Sequence, residues 1–306
     1  MVNDATQWIT QALGINEAPV IWLTDIDDTL IDTKAMHGEA APALISLIAQ
    51  MIGRAQAVSL IDRFQEIFDE LLSAHQRAGG SEEPKTHLDD RVEACQADIR
   101  TQWGVTKRFS REVLLWLAAQ DSKVTLNAEQ LASAADAYWQ HMTRNPLVFS
   151  DAVELFAAIK ERTGRHPLLM TSSDARFTLS PTGQFSYDPV RSREFKRTRV
   201  RALAARGFPY ESVFIGDPVD KPDPKYFENV FRSIEKKLDP PQDYRIMVVG
   251  DSFSADIATP LAINDRVLGV LCKRGHAEPK QLDARTVTVG SLAPLSTALR
   301  LGMVGP

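Results

Sequence analysis

Short apolar runs ending in small or acidic residues recur along this chain and limit what it can fold into: "VIWLTD" at 20–25, "HPLLMTSS" at 166–173, "SVFIGD" at 212–217, "RIMVVGDS" at 245–252 and "RVLGVLC" at 266–272. Each has the length of a strand and is bounded by turn formers. The apolar character is continuous rather than alternating, which is the pattern of strands buried on both faces of a parallel sheet. Segments with helical spacing lie between several of them. "DAVELFAAIKERTG" (151–164) offers Asp151 as an N-cap candidate and ends at Gly164, a natural residue for a left-handed C-terminal turn. "DPKYFENVFRSIEKKL" (223–238) also repeats its apolar residues at helical spacing. Alternation of this kind predicts an α/β fold with a doubly wound, Rossmann-like parallel-sheet core.

Residues 34–147 follow a different pattern. "APALISLIAQMIGRA", "AVSLIDRFQEIFDELLSAHQR", "REVLLWLAAQ" and "AEQLASAADAYWQHM" are helix-period segments, with no convincing strand among them and a loop at "GGSEEP" (79–84). The expectation is a core built from 1–33 and 148–306, with an all-helical cap domain, 34–147, inserted after the first strand. The segment 176–202 is longer and more basic than a plain crossover would require.

The first strand runs straight into Asp25, Asp27 and Asp28, followed by Thr29. Like charges at the end of a buried strand repel one another unless a cation neutralises them, so the pattern predicts a metal site. In open parallel sheets, ligands bind outside the C-terminal strand ends. The other strand ends offer Thr171, Ser172, Ser173 and Asp174, then Lys221, then Asp251 and Asp256. An oxygen-rich, carboxylate-dominated set suits Mg²⁺ with a phosphate-bearing substrate, and the six histidines show no zinc-like spacing. With the phosphoryl charge neutralised by metal, lysine and hydroxyl, a carboxylate is free to attack as nucleophile. Residues i and i+2 of an extended chain point the same way, so the second Asp of D-x-D can protonate the leaving oxygen and then activate water.

Four motifs in order give these residues a wider frame. "DIDDTL", "LLMTS", "KPDPKYF" and "VVGDSFSADI" resemble the four motifs of the haloacid dehalogenase-like (HAD) hydrolases, and "TVTVGSLAPLSTAL" is similar to that family's closing strand and helix. The resemblance covers about 18–33 and 148–300 and is to the subfamily I type, whose helical C1 cap occupies the place of the insertion. It implies Asp25 as nucleophile and metal ligand, and Asp27 as general acid/base holding the metal through its backbone carbonyl. It further implies Thr171, with Ser172 as the competing hydroxyl, and Lys221 on the transferring phosphoryl group. Asp251 becomes a Mg²⁺ ligand, Asp256 a support through water or Lys221, and Thr29 an organiser of the first turn. Asp256 has a structural alternative as the N-cap of the following helix. Asp28 stands where many members carry Gly, and Asp tolerates the left-handed conformation that position needs.

The implied activity is a Mg²⁺-dependent phosphatase, acting through an aspartyl-phosphate on a small phosphorylated metabolite. Two readings compete with it: a phosphomutase or phosphotransferase using the same residues, and a catalytically idle HAD-fold binding module. A 2-haloacid dehalogenase is disfavoured because its first motif lacks the second Asp.

Composition excludes other classes. The net charge is −5, which gives no electrostatic argument for nucleic acid or an anionic membrane. No stretch approaches the roughly 18 apolar residues of a membrane span. Two widely separated cysteines and no leader-like start point to a reducing, cytoplasmic setting. The run Arg191, Arg193, Lys196, Arg197, Arg199, Arg201 reads as a solvated helix face rather than a polyanion site. Lys34, His37, Arg54 and Arg63 read as exposed helix residues that could reach an anionic group. Trp103, Trp116 and Trp139 read as helix-packing core.

Overall fold

The structure is a computed structural model that describes residues 4–14, 18–77, 86–275 and 278–301; the expected loop at 79–84 lies outside them. It divides into two compact units: described residues of Met1–Asp32, Leu147–Ser172 and Val200–Pro306, and those of Thr33–Pro146 and Ser173–Arg199.

The first unit holds α1 (Asp4–Leu13), β1 (Val20–Thr24), α8 (Ser150–Thr163), β2 (Leu168–Ser172), β5 (Ser212–Gly216), α10 (Pro224–Leu238) and β6 (Arg245–Gly250). After β6 come a π-helical turn (Phe253–Ala258), α11 (Thr259–Ile263), β7 (Val267–Cys272), β8 (Lys280–Asp283), β9 (Thr286–Val289) and α12 (Ala293–Leu301). Seven strands form one sheet in the order β5-β2-β1-β6-β7-β9-β8, parallel except for β8 against β9. The continuous apolar runs are strands here, as their composition predicts, because both faces are covered. On one face Tyr226, Phe227, Val230, Phe231 and Ile234 of α10 pack on Leu168, Met170, Ile246 and Val248. The chain leaves β1 toward β2 on one side and β6 on the other, which makes the C-terminal end of β1 the topological switch point. Register lines up the neighbouring ends: Thr24 pairs with Leu169 of β2 and Val249 of β6.

α8 begins one residue earlier than expected, after Phe149, so Asp151 is not its N-cap. Its carboxylate instead takes the Leu292 N–H at 2.6 Å and the Arg274 guanidinium at 2.6 Å. Gly164 does end the helix in the left-handed region, at φ +69°.

The second unit contains α2 (Thr33–Ile52), α3 (Arg54–Arg77), α4 (His87–Cys95), α5 (Ala97–Trp103), α6 (Arg111–Asp121) and α7 (Ala128–Arg144). Capping boxes at Thr86 and Asn127 start α4 and α7, and Ser110 caps α6. The unit is not all-helical. It also takes the antiparallel hairpin β3 (Phe177–Leu179) and β4 (Phe185–Tyr187), and α9 (Pro189–Ala204) as far as Arg199. Residues 173–199 therefore belong with the helices and not with the sheet, unlike the expected boundary. Buried ion pairs and ring contacts hold them there: Arg176 to Glu112 at 2.7 Å, Trp116 against Phe185 and Trp139 against Phe195.

Three expectations from the sequence are overturned. Lys196 and Arg199 are not on a solvated face but buried on Asp174, with Lys196 3.3 Å away. His37 is buried among Phe64, Phe68 and Tyr138 rather than exposed on its helix. Trp103, at the end of α5, is 36% exposed and is not core; a helix of seven residues leaves its last turn little to pack on. No helix among the described residues is long and apolar enough to cross a membrane.

Candidate active site

The site is built at the β1 switch point. Asp25 directly follows β1, and its N–H donates to the Val249 carbonyl of β6 at 2.8 Å, so the carboxylate starts from a fixed strand end. The chain then turns back: Leu30 N–H donates to the Ile26 carbonyl and Asp28 N–H to the Ile31 carbonyl. The turn requires a positive φ at Asp28, +58°, which an Asp accommodates. Thr29 is carried round so that its hydroxyl donates to Asp25 Oδ2 at 3.1 Å.

The other elements converge on this point. Lys221 Nζ lies 2.6 Å from Asp25 Oδ1 and 2.6 Å from Asp256 Oδ1, making one ammonium the bridge between two buried carboxylates. Asp256 sits in the π-helical turn after β6, where its second oxygen accepts the Ser252 N–H at 3.0 Å. Ser252, not Asp256, caps that turn, its hydroxyl oxygen accepting the Ala255 N–H at 3.3 Å. Gly250 is needed beside it, because a Cβ there would fall 2.4 Å from the Asp256 Cβ. Oxygens of Asp25, Asp251 and Asp256 all lie within 4.8 Å of one another.

Asp27 and Thr171 form a second pair. The Thr171 hydroxyl, at the end of β2, faces Asp27 Oδ2 at 3.5 Å. Ser172, the competing hydroxyl, is committed elsewhere: it donates to Asp220 Oδ1 at 2.9 Å. Asp220 also accepts the Lys221 N–H at 2.8 Å and so anchors the loop that presents the lysine. Sequence reasoning passed over Asp220, although its position immediately before Lys221 in "VDKPDP" was the available signal. It also passed over Arg274, whose guanidinium joins the Thr29 carbonyl to Asp151.

Burial sets the electrostatics. Asp25 is 3% exposed, and desolvation pushes its carboxyl up to about 7 against the pull of Lys221, with Asp256 and Asp27 adding repulsion. Asp251 is likewise raised well above the carboxylate range, by burial first and then by Asp256 and Asp25. Lys221 loses charge stability by burial but gains more from Asp25 and Asp256, so its ammonium titrates well above the ordinary lysine range.

These donors fit Mg²⁺. All are oxygens, their mutual repulsion raises two of the carboxyls, and one lysine alone serves two of them. The side-chain cluster includes Asp256 beside Asp25 and Asp251.

Comparison with known proteins places this geometry. The family description "haloacid dehalogenase-like hydrolase" matches residues 22–263. The chain belongs to that family. HAD-like enzymes of solved structure share its fold: HAD-hydrolase YfnB of Bacillus subtilis, crystallised with magnesium, superposes with a TM-score of 0.52 at 15% identity, over 92% of this chain and 99% of its own. The 2-haloacid dehalogenase of Pseudomonas syringae pv. tomato superposes with a TM-score of 0.50 at 17% identity, over 93% of this chain and 99% of its own. At such identities the likeness is one of fold. No curated protein matches in sequence. The HAD-like core brings Asp25, Asp27, Thr171, Lys221, Asp251 and Asp256 to the C-terminal strand ends of its sheet.

Proposed function

We propose that the protein is a Mg²⁺-dependent phosphomonoester hydrolase acting on a small phosphorylated metabolite through an aspartyl-phosphate on Asp25. The observation that carries this reading is the second carboxylate, Asp27, two residues beyond Asp25 and facing the Thr171 hydroxyl. A displacement at carbon needs only a nucleophilic carboxylate, whereas phosphate ester cleavage also needs a group that protonates an alkoxide.

Asp25 and Asp251, with the Asp27 backbone carbonyl and with Asp256 close by, would hold Mg²⁺, which supplies neutralisation of phosphoryl oxygens and of the carboxylates. Asp25 Oδ attacks phosphorus, a P–O bond to Asp25 forms, and the ester P–O bond breaks. Asp27 gives its proton to the departing alkoxide. Asp27 then takes a proton from water, whose oxygen attacks phosphorus; the P–O bond to Asp25 breaks and inorganic phosphate leaves. Lys221 holds negative charge at the phosphoryl group throughout, and Thr171 orients it by hydrogen bonding. Asp256 and Asp220 keep the lysine aimed at the strand end.

The test is phosphate release across a panel of phosphomonoesters with Mg²⁺, comparing wild type with Asp25→Asn. Metal-dependent release that the variant loses supports the reading. Transfer to an added acceptor alcohol in place of release would move the assignment to a phosphotransferase. Absence of both, together with no binding of Mg²⁺ or beryllofluoride, would leave an idle binding module.

A further inference from the structure

We propose that the helical unit carries its own oxyanion site, built on Arg111, His37 and Trp139, that takes the carboxylate or phosphate group of a small ligand. The inference makes no use of the strand-end site.

Arg111 is the first residue of α6 and is 5% exposed. No carboxylate lies within ion-pair distance of it among the described residues. Its guanidinium is stacked by three rings, with Phe68, Tyr138 and Trp139 centroids at 4.5, 4.9 and 5.2 Å. It donates to the Phe109 carbonyl, but its Nε–H has no partner. The carboxylate in this neighbourhood, Asp174, is engaged by Arg199 and Lys196.

Two more orphaned nitrogens belong to the same ring cluster. His37 stacks on Phe68 at 3.8 Å, its Nδ1 is 3.2 Å from the Tyr138 hydroxyl, and its Nε2 has no partner. Trp139 meets Tyr138 edge-on at 5.1 Å, and its indole N–H has no partner. Both residues are 4% exposed, out of reach of bulk solvent. Burial, and then the Arg111 charge, keep His37 neutral down to about pH 3. In the tautomer in which the Tyr138 hydroxyl gives its proton to His37 Nδ1, Nε2 carries the hydrogen.

The cluster therefore presents unmet N–H donors on Arg111 and Trp139, with His37 Nε2 also unpartnered, around a desolvated cation. Cation–π stacking accounts for the rings about Arg111. It does not account for the unmet donors, since buried polar groups are ordinarily satisfied. Unmet N–H donors on and beside a guanidinium are complementary to an oxyanion, which accepts their bonds and neutralises the charge. The positive end of α6 adds to the same potential.

Thermal melting of the whole protein in metal-free buffer, with sodium acetate or inorganic phosphate against chloride at matched ionic strength, tests this. The expected result is a saturable rise with at least one oxyanion. Acetate as the stronger probe would assign a carboxylate ligand, and phosphate a phosphoryl one. Arg111→Gln should weaken the apparent affinity at least about tenfold. Trp139→Phe keeps the ring and removes only the N–H; it should weaken binding about threefold or more without loss of the folded near-ultraviolet spectrum, and so carries the test if Arg111→Gln does not fold. Lys221→Gln should leave the rise intact. No saturable rise with either anion, a rise untouched by Arg111→Gln and Trp139→Phe, or a rise abolished by Lys221→Gln would overturn the proposal.

Discussion

Lys221 and Asp25, 196 residues apart in sequence, form a buried ion pair at 2.6 Å, and the same ammonium reaches Asp256 at 2.6 Å. Removing the lysine leaves buried carboxylates facing one another. Lys221→Met is expected to destabilise the metal-free protein by about 3–5 kcal/mol at neutral pH. It should lower phosphate release by roughly 10²–10³-fold. Urea unfolding in chelator and steady-state assays with Mg²⁺ check the two halves separately. Unchanged stability would mean the pair is not formed.

The raised carboxyls fix a pH dependence. Asp25 titrates near 7 when folded and near the ordinary carboxylate range when unfolded, and Asp251 is shifted the same way. The folded protein thus holds protons more tightly than the unfolded chain, so this contribution is complete below the unfolded pKa and is lost as pH rises through about 7. Without metal, the melting temperature should fall between about pH 5 and about pH 8, and less so in Asp25→Asn. Added Mg²⁺ should raise it most at the alkaline end, where the carboxylates are ionised. Parallel melts in chelator and in Mg²⁺ read both effects, and a metal-induced shift larger at acid pH would contradict the assignment.

Gly216 ends β5 where Asp220 folds back over it. A Cβ there would lie 2.2 Å from Asp220 Oδ1 and 2.9 Å from the Asp220 Cα. The second contact is with backbone, so side-chain rotation cannot relieve it. Gly216→Ala should cost about 1–3 kcal/mol and displace the Asp220 bond that fixes the Lys221 N–H. The expected kinetic signature is a lower kcat. Full activity in the single variant would show that the loop relaxes freely.

Arg176 ties the β3–β4 segment to α6 through Glu112 at 2.7 Å, both side chains being buried. Arg176→Met strands Glu112, whose carboxyl burial already pushes upward, and should destabilise the second unit by about 3–5 kcal/mol. The double variant Arg176→Met/Glu112→Leu should recover most of that loss, because the uncompensated charge goes with its partner. Chemical denaturation of the four proteins in the cycle measures the coupling, and additive losses would deny it.

The local signals were sufficient for the strands and for the candidate residues at their ends. Continuous apolar runs specify strands buried on both faces, and the D-x-D spacing specifies two carboxylates on one side of a strand end. Gly164 and Asp28 declare left-handed turns through their own conformational freedom. Asp25, Asp27, Thr171, Lys221, Asp251 and Asp256 were picked out because ligands gather at the C-terminal strand ends of such sheets and because the four motifs carry them, and the structure gathers them at those ends.

Other features depend on partners far away in the chain. Lys196 and Arg199 look like solvent-facing helix charges until Asp174 is brought to them, and their burial moves 173–199 into the helical unit. His37 looks exposed until Phe64, Phe68 and Tyr138 close on it. Asp256 enters the carboxylate cluster, and Ser172 leaves the set of free hydroxyls, through contacts with Lys221 and Asp220. The sequence by itself determined the strands, the switch-point rim and the residue types on it, since these follow from period and spacing. Only the tertiary structure decided which charges are buried together, because desolvation and Coulomb energy depend on distances that no local pattern encodes.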